Sequence, residues 1–329
     1  MKTLLKKLTE TFSPSGYEAS IREVIRAEIE PLADEIRVDA LGNLIARKGQ
    51  GGPKVMIAAH MDEIGLIATH IDDNGFVRFT GVGGVFPQYV LGGRVRFING
   101  QTGVIASEAF SALKELPGFD KMFIDVGATS RKDCSVQVGD VAAFDRPFID
   151  MGQRMVAKSM DDRIGCLVAI EALRALKQTP NEMYFVFTTQ EEVGTRGAET
   201  SAFGIDPDLG FSIDVTGWGD TPNFSPKMEI ALGKGPAIKI KDGGMLADPR
   251  IVAWMEQTAR RGKIPTQREV LLGGSTDARA MQLVRAGVPA GCVSIPCRYV
   301  HSPSEMVGTS DVENAIRLVT ALAANPVSL

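Results

Sequence analysis

Apolar and polar positions follow two different rhythms along this chain. At helical spacing, Ile21, Val24, Ile25 and Ile29 share one face of a segment over 17–29 that stops before Pro31. The same spacing at Ile164, Leu167, Val168, Ile170 and Leu173 predicts a helix over 163–177. Segments 1–10, 198–203, 249–261, 277–285 and 311–324 also read as helices. The unbroken apolar run at 55–59 predicts a central parallel strand, and the largely apolar segments 183–188, 209–213 and 291–295 read as further strands. Helices alternating with such strands predict an α/β fold, a mostly parallel sheet with helices on both faces.

Between 64 and 150 the texture changes to short strands punctuated by glycine. Segments 77–79, 94–98, 103–105, 122–126 and 141–144 are separated by turns such as Asp73-Asn74-Gly75 and Asn99-Gly100. This predicts a small inserted β-barrel or sandwich, with 1–63 and 151–329 as the two parts of one α/β domain.

Composition narrows the partners. The 36 basic and 40 acidic residues leave a net charge of −4, too balanced for a nucleic-acid-binding face. No apolar stretch approaches the ~20 residues that span a bilayer, and the first helix lacks a signal-peptide core. A cytoplasmic location with no membrane partner is expected. Cys134, Cys166, Cys292 and Cys297 form no Cys-x-x-Cys pair and read as reduced, mostly buried thiols.

Candidate chemistry collects at the ends of the apolar strands. His60 ends the 55–59 run, Glu191-Glu192 follows 183–188, Asp214 follows 209–213, and His301 comes soon after 291–295. Asp161-Asp162 stands just before the 163–177 helix. Ligands of open α/β sheets bind beyond the carboxyl ends of the strands. Two imidazoles and three carboxylates meeting there would carry −3 against the +4 of two divalent cations, and two such cations can hydrolyse an amide. Each residue also has a plainer reading. His60 could be a hydrogen-bonded strand-edge histidine, one aspartate of the Asp161-Asp162 pair an N-cap, and Glu191-Glu192 a surface loop. The adjacent glutamates suggest unequal tasks, one binding metal and one moving protons. Asp62 is placed to orient an imidazole. His70 reads as a structural or surface histidine.

The segments 59–65 (AHMDEIG), 158–163 (KSMDDR), 189–194 (TQEEVG), Ile213-Asp214 and 298–303 (RYVHSP) resemble the tetrahedral (TET-type) metallo-aminopeptidases. That family includes glutamyl and deblocking aminopeptidases and the FrvX and "cellulase M" proteins, and the likeness runs nearly end to end. It implies a zinc-exopeptidase-like fold and two divalent metals, zinc or cobalt. Asp161 would bridge them, with His60 and Glu192 on opposite ions and Asp214 and His301 completing the shells. Asp161, not Asp162, matches the family's metal position. Glu191 would be the general base, Asp62 the orienting acid and a metal-bound hydroxide the nucleophile, with peptide N-termini as substrates. The 64–150 insert would be a dimerisation domain, within dimers or a hollow dodecamer.

A metal-dependent amidase or carboxypeptidase on N-acyl or carboxyl-terminal substrates would need the same cations, so it stays open. A glycoside hydrolase needs two carboxylates but no histidines at strand ends, and two tryptophans make a poor sugar platform. Lys234, Lys239, Lys241 and Arg298 could line a specificity pocket but read rather as solvated, and the glycine runs near 81–84, 243–244 and 273–274 read as cleft or turn.

Overall fold

Two separate hydrophobic cores organise the structure, a computed structural model that describes residues 1–108, 115–327 and 329. The first stretch holds α1 (Lys2–Glu10), α2 (Ala19–Ile29), β1 (Glu35–Val38), β2 (Leu44–Lys48) and β3 (Lys54–His60). Next come β4 (Gly65–Ile71), β5 (Val77–Val82), α3 (Pro87–Val90), β6 (Arg94–Phe97), β7 (Thr102–Ser107), β8 (Met122–Asp125) and β9 (Val141–Phe144). The chain returns through β10 (Ile149–Asp150), β11 (Arg154–Ala157), α4 (Met160–Ala175), β12 (Glu182–Thr188), α5 (Arg196–Ile205) and β13 (Leu209–Thr216). It finishes with β14 (Ala237–Lys241), α6 (Pro249–Gly262), β15 (Gln267–Val270), α7 (Asp277–Leu283), β16 (Ala290–Arg298), β17 (Glu305–Gly308) and α8 (Thr309–Ala324).

The large sheet has the order β1-β2-β12-β3-β13-β16-β17-β11-β10, with β14 joined to β16 and β15 to β14. Its centre, β12-β3-β13-β16, is parallel, and these are the strands that read as largely apolar runs. Both flanks are antiparallel, so the sheet is mixed. Short flanking strands can be joined by tight turns, as β1 and β2 are, whereas each parallel neighbour needs a longer crossover. Helices α4 and α8 pack together on the core, and Leu318 and Leu322 of α8 are fully buried.

Strands β4-β5-β8-β7-β6-β9 close into a barrel, which leaves no free edge. Along β6 the alternation is strict: Val95 and Phe97 are buried, Arg94 and Arg96 exposed. Phe79, Ile105, Ile124 and Phe144 complete the barrel core. His70 lies exposed on β4, as a surface histidine.

The start of α4 departs from simple periodicity. The helix begins at Met160, yet Asp161 (φ −73°, ψ 108°) and Asp162 (φ −116°, ψ 39°) are not helical. Arg163 behind them is fully buried and donates to the carbonyls of Leu8 and Thr11, at 2.5 and 3.1 Å. That pins α1 to the head of α4 and fixes where the two aspartates project.

Candidate metal centre

Register brings the predicted residues together. Thr188 at the end of β12 is paired with His60 at the end of β3, and Asp214 on β13 is paired with Ser294 on β16. His60, Asp161, Glu192, Asp214, Glu191 and His301 therefore gather above the parallel strands. Five of them line a cleft of about 400 Å³: Asp161, Glu191, Glu192, Asp214 and His301. Strand β13 extends two residues beyond Asp214, so this acid sits within the strand instead of after it.

Asp161 occupies the middle. Its Oδ1 lies 2.9 Å from His60 Nε2 and its Oδ2 lies 3.3 Å from His301 Nε2. Glu192 Oε2 is 3.4 Å from the same His301 nitrogen. Ligand atoms of His60, Asp161 and Glu192 all fall within 4.8 Å of one another, and so do those of His60, Asp162 and Asp214. The far nitrogens of both imidazoles meet oxygen. His60 Nδ1 is 3.3 Å from Asp62 Oδ1, and His301 Nδ1 is 2.8 Å from the carbonyl of Gly84. The Gly84 carbonyl sets the tautomer and ring orientation of His301, while Asp62 lies beside His60 as a nearby acid, and each Nε2 faces Asp161.

Asp62 does more than face His60. Its Oδ1 accepts the backbone N–H of Glu191 (3.0 Å), and its Oδ2 accepts the N–H of Glu192 (3.2 Å) and the hydroxyl of Ser15 (2.6 Å). The loop carrying both glutamates is thereby tied to the end of β3. Ser159, Gln190, Tyr299 and His301 adopt left-handed φ values of 55°, 54°, 63° and 63°. Non-glycine residues pay about 1–3 kcal/mol for such backbone, which persists where the surroundings impose it.

The electrostatics call for positive charge. Among the described residues, no Lys or Arg lies within ion-pair distance of Asp161, Asp162, Glu191, Glu192, Asp214 or Asp277. Burial pushes the carboxyls of Glu191, Asp162 and Asp214 well above the usual range, and neighbouring acids add to it. Burial likewise takes Glu192 up to about 7. For His301, burial opposes the charge, but Glu192 and Asp161 prevail and raise the imidazole to about 10. For His60 burial is again outweighed, by Asp161 and Asp62. Asp161 stays below the ordinary range despite burial because both imidazoles face it. Glu192 Oε1 and Asp162 Oδ2 are buried with no hydrogen-bond partner. Crowded carboxylates, two imidazoles and orphaned buried oxygens fit the donor set of divalent cations.

The comparisons with known proteins bear on this geometry. The model of the M42 glutamyl aminopeptidase family matches residues 42–318. The chain belongs to that family. It is 48% identical to a protein of Acetivibrio thermocellus assigned as an aminopeptidase, over 97% of each chain. Its structure is similar to aminopeptidase APDkam598 of the archaeon Desulfurococcus kamchatkensis, with a TM-score of 0.96 and 40% identity over 99% of this chain and 95% of that one. It is also similar to the TET1 peptidase of Pyrococcus horikoshii, which can assemble into a tetrahedron or a large octahedral shell; the TM-score is 0.89, with 34% identity over 98% of each chain. The M42 chain described here is thus a peptide hydrolase of a metal-dependent family.

Several residues at this M42 site were missed or only partly read from the sequence. Asp277 at the start of α7 is buried, hydrogen-bonded by Thr188 Oγ1 at 2.5 Å, and raised by burial to about 6. Asp162 accepts the N–H of Gly165 like a helix cap, yet it also reaches the cluster. Gly83 and Gly84 come from the barrel and press against Glu192 and His301. Lys239 and Arg298 are not solvated. Lys239 is 1% exposed, 3.0 Å from Glu269 and 3.5 Å from Asp242, because β14 turns it inward against β15. Arg298 makes two hydrogen bonds to Asp220, at 2.9 and 2.8 Å. Lys234 and Lys241 are exposed, as expected.

Proposed function

We propose that this M42 chain is a dinuclear metallo-aminopeptidase that removes N-terminal residues from peptides. His60 and Asp214 with one oxygen of Asp161 would hold one divalent cation, and Glu192 and His301 with the other oxygen would hold the second. The observation that carries this reading is Asp161 itself, one buried carboxylate whose two oxygens face two different imidazoles. Zinc and cobalt suit such mixed nitrogen and oxygen donors. Bound cations of this kind supply Lewis acidity, lowering the pKa of water and polarising a carbonyl.

The chain's own groups supply the rest. Glu191 lines the cleft, and burial raises its carboxyl well above the usual carboxylate range, the direction that makes a carboxylate a stronger base. It takes a proton from the attacking water and delivers it to the departing amine. Asp62 aims Glu191 by holding its backbone N–H. Glu192 and Asp214 offer carboxylates that can also pair with a free α-amine, a source of preference for N-termini.

The 64–150 segment, built around the closed barrel, would serve self-association, into dimers and a tetrahedral dodecamer. A cytoplasmic location is supported by four unpaired cysteines, three of them buried. No helix among the described residues is long and apolar enough to cross a membrane. The test is a panel of aminoacyl-nitroanilides alongside N-acyl and carboxyl-terminal substrates, assayed after chelation and after zinc or cobalt is restored. Metal-restored cleavage confined to free N-termini is expected. Cleavage of N-acyl substrates with free N-termini ignored would refute the exopeptidase assignment.

A further inference from the structure

We propose that Glu305 is a positioning residue of the metal centre, a carboxylate ruler that sets the separation between the bridging Asp161 and His301. The inference rests on the dinuclear reading above. Glu305 opens β17 and is 1% exposed. Its Oε2 accepts the backbone N–H of Asp161 at 2.9 Å, and its Oε1 accepts the backbone N–H of His301 at 2.8 Å. One side chain thus grips the main chain of two ligand-bearing residues from segments 140 positions apart.

Three features separate this from an ordinary buried acid. No Lys or Arg among the described residues lies within ion-pair distance of Glu305, whereas the equally buried Glu63 has Lys158 at 2.5 Å and Arg163 at 3.6 Å. The Glu305 carboxyl has only the two N–H groups to replace its water. Its base is rigid, because Glu305 is paired with Ala157 across the β11–β17 ladder, and β11 leads directly to Asp161. Finally, His301 has a φ of 63°, a costly conformation for a non-glycine residue, and the bond to Glu305 holds its N–H there.

The chemistry demands a carboxylate. Two donors converge on one group, so it must present two acceptors. Glutamine offers one oxygen and would point its NH₂ at the other N–H. Aspartate keeps both acceptors but falls short by one methylene.

The test compares wild type, Glu305→Gln, Glu305→Asp and a core control, Leu318→Ala in α8. Each protein is stripped by chelation and titrated with Zn²⁺, its Co²⁺ form is examined by visible absorption, and the stripped form is melted. Loss of a group that orients metal ligands costs about 10–100-fold in metal affinity. Glu305→Gln should show that loss for at least one ion and an altered Co²⁺ spectrum. Leu318→Ala should melt lower yet bind like wild type. If Glu305→Gln fails to fold, Glu305→Asp should show the same weakened binding. Zn²⁺ affinity within threefold of wild type in the folded Glu305 variants, with an unchanged Co²⁺ spectrum, would overturn the inference and leave the dinuclear reading standing. A wild-type protein that binds neither ion would overturn both.

Discussion

Replacing Gly84 by alanine places a methyl group where the barrel meets the cleft lined by His301. An ideal Cβ at this position would lie 2.5 Å from His301 Nδ1 and 2.6 Å from Cε1. Ordinary contact begins at 3.4 Å, so ring or backbone must yield by about 0.9 Å, the difference of those figures. Gly84 does not have a left-handed φ, so alanine is tolerated by the backbone and the substitution tests space alone. The Nδ1 contact to the Gly84 carbonyl, 2.8 Å, would be lost or skewed. On the other side of the ring, Nε2 has Asp161 and Glu192 at 3.3 and 3.4 Å and nowhere to retreat. Metal–ligand distances tolerate only about 0.2 Å. A misplacement near 1 Å costs on the order of 10²-fold in rate, about 3 kcal/mol of barrier. The assay is kcat/KM on an aminoacyl-nitroanilide, with metal content and melting temperature measured in parallel. Full metal loading and activity within threefold of wild type would show that the barrel does not support His301.

Three further outcomes are expected. Glu191→Gln should lose about 10²–10⁴-fold in kcat while keeping its metal, because only proton transfer is removed; undiminished turnover would dismiss Glu191 as the base. Metal uptake by the chelated protein should release protons near pH 7.5, since the His301 imidazole is raised to about 10 and a cation needs its lone pair. A raised histidine stabilises the metal-free fold below about pH 6.5, and that share is lost as pH rises through about 10. Calorimetric titration in buffers of different ionisation enthalpy reads the released protons, and buffer-independent heats would contradict the raised imidazole. Lys239→Ala should destabilise the protein by about 3–5 kcal/mol, because it strands buried Glu269 and Asp242 without a cation; denaturant melts within 1 kcal/mol of wild type would show that those acids are neutral.

What could be read in advance was set by local rules. Largely apolar runs marked β3, β12, β13 and β16, because a strand covered on both faces has few polar positions, Ser212 and Ser294 being small exceptions. Glu191, Glu192 and Asp214 were visible because each stands at or near the end of one of those runs, where sheet topology forces convergence, and Asp161 because it is one of two adjacent acids heading a helix. Strands β14 and β17 were not visible. They are short, and β14 carries Lys239 and Lys241, whose inward or outward aim depends on where β15 puts Glu269. Arg298 misled for the same reason: its partner Asp220 is 78 residues away.

The support around the site was hidden more deeply than the site itself. Asp277, Glu305 and Gly84 act through contacts that no spacing rule reports. Glu305 stands four residues after His301, which by itself suggests a turn, while its second acceptor reaches Asp161 through the β11–β17 ladder. Gly84 comes from the barrel, which the sequence reading assigned to self-association, and yet its carbonyl meets an imidazole above the parallel strands. The barrel and the large sheet therefore meet at His301. Any rearrangement that moves the barrel, assembly with other copies included, must act on the imidazole that faces both Asp161 and Glu192.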